Sequence, residues 1–152
     1  MPTNWLPVPH HSQTEDADCL AACVAMVLDY LGQPLAYDDL LRLLDTRPYG
    51  TVTRNVLRLT RLGLSVMYRE GTLAGLRDWL DRGQPVIALV KTGELPYWSY
   101  NTLHAIVLIG YDEANVYAND PHFSQAQVIP IGDFELAWLE MGNRYIVITP
   151  AS

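Results

Sequence analysis

Four residues of this 152-residue chain have the types and the order for acyl transfer: Gln13, Cys19, His104 and Asp120. Cys19 stands in "SQTEDADCLAACVAMVLDYLG", ahead of a nearly unbroken apolar run. A thiol reacts as its thiolate, and the unpaired amides and dipole at the start of a helix favour that charge. A cysteine directly after Asp18, at a helix start, is therefore suited to be a nucleophile. The helix alone also allows a small buried hydrophobe there. Cys23, one turn further in, fits the buried reading, because apolar surroundings raise a thiol's pKa. A Cys19–Cys23 disulfide would be strained, since both Cβ atoms point along one helix face.

A thiolate hydrolase also needs a base and a group that orients the base. Of the four histidines, His10 and His11 lie in a proline-rich lead-in and His122 follows Pro121 in a turn. His104 opens "HAIVLIGY", the most apolar strand of the chain. A hairpin turn centred on Glu113 in "YDEAN" sets Ile106 opposite Asp120 and His104 opposite His122. Asp120 is then a diagonal neighbour of His104 on the same face, close enough for an Asp–His hydrogen bond. A slip of one residue would put it on the other face. Gln13, six residues before Cys19, supplies a side-chain amide that could join the Cys19 backbone N–H as an oxyanion donor.

The elements that must position these groups are legible from periodicity and breakers. A buried helix runs from about Asp18 to Leu31, with Asp18 as N-cap and Gly32 as its stop. "YDDLLRLLD" is a second helix, with Asp38 and Asp39 in its first turn. A third, capped by Thr51 or Thr53, carries a core stripe of Val52, Val56, Leu59 and Leu62 before Gly63. "LSVMYR" is a strand, and "TLAGLRDWLDRG" a fourth helix with Leu73, Leu76 and Leu80 inward and Gly83 closing it. Five β segments follow: "PVIALV", "HAIVLIGY", "NVYAND", "AQVIPI" and "RYIVIT", with the helix "DFELAWLEM" before the last. Helices first and antiparallel strands afterwards make an α+β domain of two packed layers, one domain over 1–152. The loop before His104 holds Tyr97, Trp98 and Tyr100, read equally as packing aromatics and as a wall of a substrate cleft.

"HSQTEDADCLAACVAM", "HAIVLIGYD" and "YANDP" together resemble the C39 and C39-like family of papain-fold cysteine peptidases. The likeness extends over nearly the whole chain, including "FELAWLEMGNRYIVI". It implies a papain-like fold in which an N-terminal helical layer, with a buried nucleophile helix, packs on a C-terminal antiparallel sheet. On the family's pattern Gln13 corresponds to the oxyanion residue, Cys19 to the nucleophile, His104 to the base and Asp120 to the orienting acid. The implied activity is thiol proteolysis of a peptide or protein, without a cofactor. Leu20 departs from the pattern, standing where the family usually has glycine, and its side chain is expected to narrow the approach to the thiol. Family members that mature bacteriocin-type peptides after a double glycine are usually fused to an exporter and an ATPase. This sequence carries neither, so that substrate is not transferred to it.

Composition narrows the alternatives. A net charge of −7 argues against nucleic acid or an anionic membrane as partner. Arg54, Arg58 and Arg61 share one face of an α-helix at i, i+4, i+7, and read first as a solvated face. Cys19–Leu28 is far too short to span a bilayer. "MPTNWLPVPHHSQ" lacks the basic and apolar regions of a secretory signal, so a cytoplasmic setting is expected. Acyl transfer to another acceptor would use the same residues, and a non-catalytic peptide-binding domain would keep the fold without turnover. A metal site from Cys19, Cys23 and histidines lacks a second cysteine pair at ligand spacing, so no metal is expected.

Overall fold

The computed structural model describes residues 5–150, so the first four residues of the lead-in lie outside the described residues. Among the described residues four α-helices, α1 (Cys19–Tyr30), α2 (Tyr37–Leu43), α3 (Leu73–Asp81) and α4 (Ile131–Leu139), accompany six strands. The strands are β1 (Leu64–Glu70), β2 (Val86–Lys91), β3 (Leu103–Tyr111), β4 (Asn115–Asn119), β5 (Ala126–Pro130) and β6 (Arg144–Pro150). They form one antiparallel sheet in the order β1-β6-β2-β3-β4-β5. The last strand therefore inserts between two that precede it. Among the described residues no helix is long and apolar enough to cross a membrane.

The continuous apolar run of β2 explains the layering. Val86, Ile87, Ala88, Leu89 and Val90 are all buried, so both faces of the central sheet need cover. Ile87, Leu89, Ala105 and Val107 meet α1, α2 and the segment after them. Val86, Ala88, Ile106 and Leu108 meet Leu76 and Leu80 of α3 and Phe134 and Trp138 of α4. The N-terminal helical layer packs as expected, and the later helices add a second cover, so the sheet lies between two helical layers. Helix α1 is buried at every position from Leu20 to Leu28. It stops where Gly32 takes φ 73°, a left-handed conformation that suits glycine.

The third helix differs from expectation. Residues Thr53–Leu62 form a 3₁₀ helix, preceded by Val52 rather than by a threonine cap. Only Val56 and Leu59 of the expected stripe are buried, while Val52 and Leu62 are 59% and 44% exposed. A stripe laid out at 3.6 residues per turn fails where there are about 3.0. The same tighter winding separates the arginines: Arg58 and Arg61 stay aligned, and Arg54 sits about a third of a turn away. Arg58 instead donates to the Leu43 carbonyl at 3.3 Å.

The β3–β4 hairpin reaches the expected register by an unexpected route. Near the turn, Tyr111 pairs with Val116 and Gly110 with Tyr117, so the turn lies half a residue beyond Glu113. Continued without a break, that register would turn Asp120 away from the face of His104. A bulge at Ile109 absorbs one residue, after which Leu108 pairs with Ala118 and Val107 with Asn119. The bulge carbonyl is used as well, accepting from the Leu6 N–H at 2.8 Å. That bond begins a strap: Asn119 Nδ2 donates to the Val8 carbonyl at 3.1 Å, and the Gln13 N–H donates to the Pro121 carbonyl at 2.9 Å.

Phe134 tests whether the second helical layer is part of the core. It is fully buried against the face opposite α1, so Phe134→Ala should lower the unfolding free energy by about 3–5 kcal/mol in urea titrations. A loss below about 1 kcal/mol would mean that α4 is not packed as described.

Candidate active site

Asp18 occupies the N-cap position of α1, but its side chain does not cap the helix. The carboxylate turns back and accepts from the Thr14 N–H at 3.0 Å, the Thr14 hydroxyl at 2.7 Å and the Glu15 N–H at 2.8 Å. Tyr37 of α2 donates its hydroxyl to the same carboxylate at 2.7 Å and stacks on His11. Burial alone would raise the Asp18 pKa, but these hydrogen bonds hold it below the ordinary carboxylate value. The expected cap is thus a clasp that fixes the loop carrying Gln13. Cys19 remains partly exposed at the start of α1, whereas Cys23 is sealed in the core. Burial pushes the Cys23 thiol well above its usual value.

His104 and Asp120 come together as expected. His104 Nε2 lies 2.6 Å from Asp120 Oδ1, with both side chains buried. Asp120 is then loaded with donors: Tyr97 Oη and Trp98 Nε1 each reach Oδ2 at 2.9 Å, and the His122 N–H reaches Oδ1 at 2.9 Å. Desolvation would raise its pKa, yet the bonds from His104, Trp98 and His122 bring it below the usual value. For His104, burial opposes the charged form, but hydrogen bonds to Asp120 and Cys19 outweigh it and raise the imidazole to about 9. With Nε2 committed to Asp120, Nδ1 is the nitrogen left for the Cys19 sulfur.

Trp98 lies 4.8 Å from the His104 ring and 4.5 Å from the His122 ring, centroid to centroid. The two readings of the aromatic loop therefore divide by residue. Tyr97 and Trp98 hold Asp120, while Tyr100 is half-exposed beside the histidine.

Gln13 lies beside His104 in a small recess of about 100 Å³ that Trp98, Tyr100 and His122 also line. Its Nε2 donates one proton to the Glu15 carbonyl at 2.9 Å, and its buried Oε1 accepts nothing among the described residues. A second amide proton is left over. A cleft of about 290 Å³, which shares His104, Thr102 and Leu103 with that recess, opens on Cys19, with Leu20, Leu89, Ala105 and Met141 among its lining. Leu20 is buried and packs in the core while also lining this cleft. Among the described residues no three of His, Cys, Asp and Glu are grouped to hold a metal ion.

The Peptidase_C39 like family matches residues 5–146, which include all four of these positions. The chain belongs to that family. A Bacillus anthracis protein described as a C39-like peptidase superposes with a TM-score of 0.80 at 22% identity, covering 96% of each chain. A double glycine motif protease from an AMS/PCAT transporter, solved with a leader peptide, gives 0.75 at 22% identity over 99% of this chain and 96% of its own. The peptidase domain of Streptococcus ComA, a bi-functional ABC transporter, gives 0.77 at 21% identity over 94% and 98%. These likenesses establish the papain-like α+β fold. A curated relative, the uncharacterized protein YvpB of Bacillus subtilis (strain 168), is 26% identical over 103 residues, 59% of this chain and 38% of that protein. The chain spans less than half of this relative's length.

In this C39-like domain, sequence reading missed the groups around the four residues. Nothing in the sequence marks Asp18 as a clasp, since its donors are ordinary backbone amides and two hydroxyls, one of them from α2. His10, read as mere lead-in, bonds the Asp120 carbonyl through Nε2 at 3.1 Å. Tyr97 and Trp98 were singled out for packing and cleft, and their donation to Asp120 appears only when the loop folds over β3.

Two measurements check this geometry. Limited iodoacetamide treatment with peptide mapping should label Cys19 well before Cys23, because only Cys19 is accessible; labelling in the opposite order would contradict the packing of α1. The proton on His104 is held more tightly in the folded chain than at the ordinary value of 6.5. It should stabilise the fold below about pH 6.5 and lose that contribution as pH rises through about 9. Urea titrations from pH 6 to 10 should show this loss in the wild type and a flatter profile in His104→Asn.

Proposed function

We propose that the chain is a thiol peptidase that cleaves a peptide or protein substrate through an acyl-enzyme. The observation that carries this reading is the buried 2.6 Å His104–Asp120 bond beside a cleft that opens on Cys19. Asp120 fixes the imidazole orientation and stabilises its charged form, and Nδ1 faces the thiol. Below about pH 9 His104 is already an imidazolium, and beside it Cys19 attacks the scissile carbonyl carbon as its thiolate. The carbonyl oxygen becomes an oxyanion, for which the free Gln13 amide proton and the Cys19 N–H are the available donors. Collapse of this intermediate expels the amine, which takes the proton from His104. Water then attacks the thioester with His104 as base, releasing the acid and restoring the thiolate. A leader peptide bound to a similar protease supports a peptide as occupant of the cleft.

Kinetics on a quenched-fluorescent peptide library separate the roles. Gln13→Ala should lower kcat by about 10²-fold or more with little change in KM, because its hydrogen bond forms mainly in the transition state. The wild-type kcat/KM should fall on the alkaline side near pH 9, as the imidazole loses its proton. Asp120→Asn should slow turnover and move that limb to lower pH, since the carboxylate bond raises the imidazole. Retained turnover in both His104→Ala and Cys19→Ala would overturn the reading, and a wild type that binds peptides without turning any over would favour a binding domain of the same fold.

A further inference from the structure

Resting on the peptidase reading, we infer that Tyr97 is a positioning residue: its hydroxyl draws charge to Oδ2 of Asp120 and so limits how strongly Oδ1 stabilises the charged His104 imidazole. The division of donors between the two oxygens carries this. Oδ1 receives His104 Nε2 at 2.6 Å and the His122 N–H at 2.9 Å. Oδ2 receives Tyr97 Oη and Trp98 Nε1, each at 2.9 Å. A carboxylate has about four acceptor sites, so all are filled. Each donor takes up charge that the others would otherwise share. Packing asks only for a ring at position 97, which lies edge-on to Phe123 with centroids 5.1 Å apart and packs against the core cluster of α3 and α4. Phenylalanine would meet that need, so the hydroxyl is the part that acts on Asp120.

The loop that presents Tyr97 is firmly built. Thr92, fully buried directly after β2, donates its hydroxyl to the Tyr100 carbonyl at 2.7 Å and accepts from the Thr102 N–H at 2.9 Å. Its own N–H donates to the Thr102 carbonyl at 3.0 Å. Tyr97 lines neither the cleft nor the recess, so it reaches the reaction through Asp120 and not through substrate. Burial and the charge of Asp120 push its phenol well up, so it remains a donor. The other ionisable groups facing the His104–Asp120 pair are Cys19 and Cys23 of α1, Asp16, His122, and His10 on the Asp120 carbonyl. Removing the Tyr97 hydroxyl deletes none of them. Burial disfavours the charged imidazole, yet its bonds to Asp120 and Cys19 raise it to about 9. The Nδ1 proton must later go to the leaving amine, and a more strongly stabilised imidazolium gives it up more slowly. Without the Tyr97 hydroxyl, charge returns to Oδ1 and amide cleavage slows.

The test follows the imidazole by NMR in protein carrying isotope-labelled histidine, the His104 signal being the one that His104→Asn removes. Tyr97→Phe should raise the His104 titration midpoint by about half a pH unit or more. Fluorotyrosine at position 97, a stronger donor, should lower it. Kinetics then compare a peptide amide with the nitrophenyl ester of the same peptide, whose leaving group departs without a proton. In Tyr97→Phe the amide-to-ester ratio of kcat/KM should fall by about threefold or more at neutral pH, since thiolate attack is common to both and only proton delivery differs. A midpoint that stays put or falls in Tyr97→Phe, or moves the same way in both variants, would mark a packing role and overturn the inference while leaving the peptidase reading standing. A ratio that does not fall would overturn it too. A wild type that cleaves neither amide nor ester would remove the peptidase reading and the inference together, whatever the midpoints.

Discussion

The site is organised around one fully buried carboxylate, Asp120. Taking a charged carboxylate out of water is affordable only where donors replace its hydration. Asp120 receives four: the imidazole of His104, the hydroxyl of Tyr97, the indole of Trp98 and the amide of His122. Two donors come from the aromatic loop, one from β3 and one from the turn after β4. The position of His104 is therefore set by a network that cannot form until the aromatic loop, β3 and the Asp-Pro turn are all in place. A low-dielectric setting makes every one of these bonds stronger and every missing one more expensive.

A second buried carboxylate does the corresponding job for the other half of the site. Asp18 gathers the amides of Thr14 and Glu15 and the hydroxyls of Thr14 and Tyr37, so the loop between Gln13 and Cys19 has little freedom. The strap of residues 6 to 13 joins the two halves. It bonds the bulge at Ile109, the side chain of Asn119, and the carbonyls of Asp120 and Pro121. The loop before Cys19 and the turn after Asp120 are thus tied to each other by main-chain groups and by the side chains of His10 and Asn119, not by side chains of the four candidate residues. Groups held this way need little reorganisation when charge develops, which is what acyl transfer requires of its surroundings.

The cleft follows from the layering. Helix α1 packs on one face of β2 and β3, while the aromatic loop and α4 pack on the other. Cys19 approaches from the first layer, and Trp98 flanks His104 from the second. The thiol and the imidazole therefore meet at the end of β3, where the two layers part and leave a groove with different walls. Leu20, Leu89, Ala105 and Met141 line one part of it together with threonines, and Trp98, Tyr100, His122 and Gln13 line another.

Sequence by itself determined the helices and strands that periodicity and breakers report, along with the four candidate residues and their family resemblance. Helix α1 was legible because apolarity on all sides forces burial. β2 was legible because five successive apolar residues cannot alternate between core and water. Sequence failed where the deciding force was not local. Thr53–Leu62 wound as a 3₁₀ helix, so its expected stripe and arginine face dissolved. Asp18 turned away from the helix it precedes, because four donors outside α1 outcompeted the cap. The pairing of His104 with Asp120 was foreseen from a turn centred half a residue away from its actual place, and a bulge at Ile109 restored the register. Only tertiary structure decided that bulge, the insertion of β6 between β1 and β2, and the burial of Asp120. Each depends on contacts between segments far apart in the chain, whose energies no local pattern of residues contains.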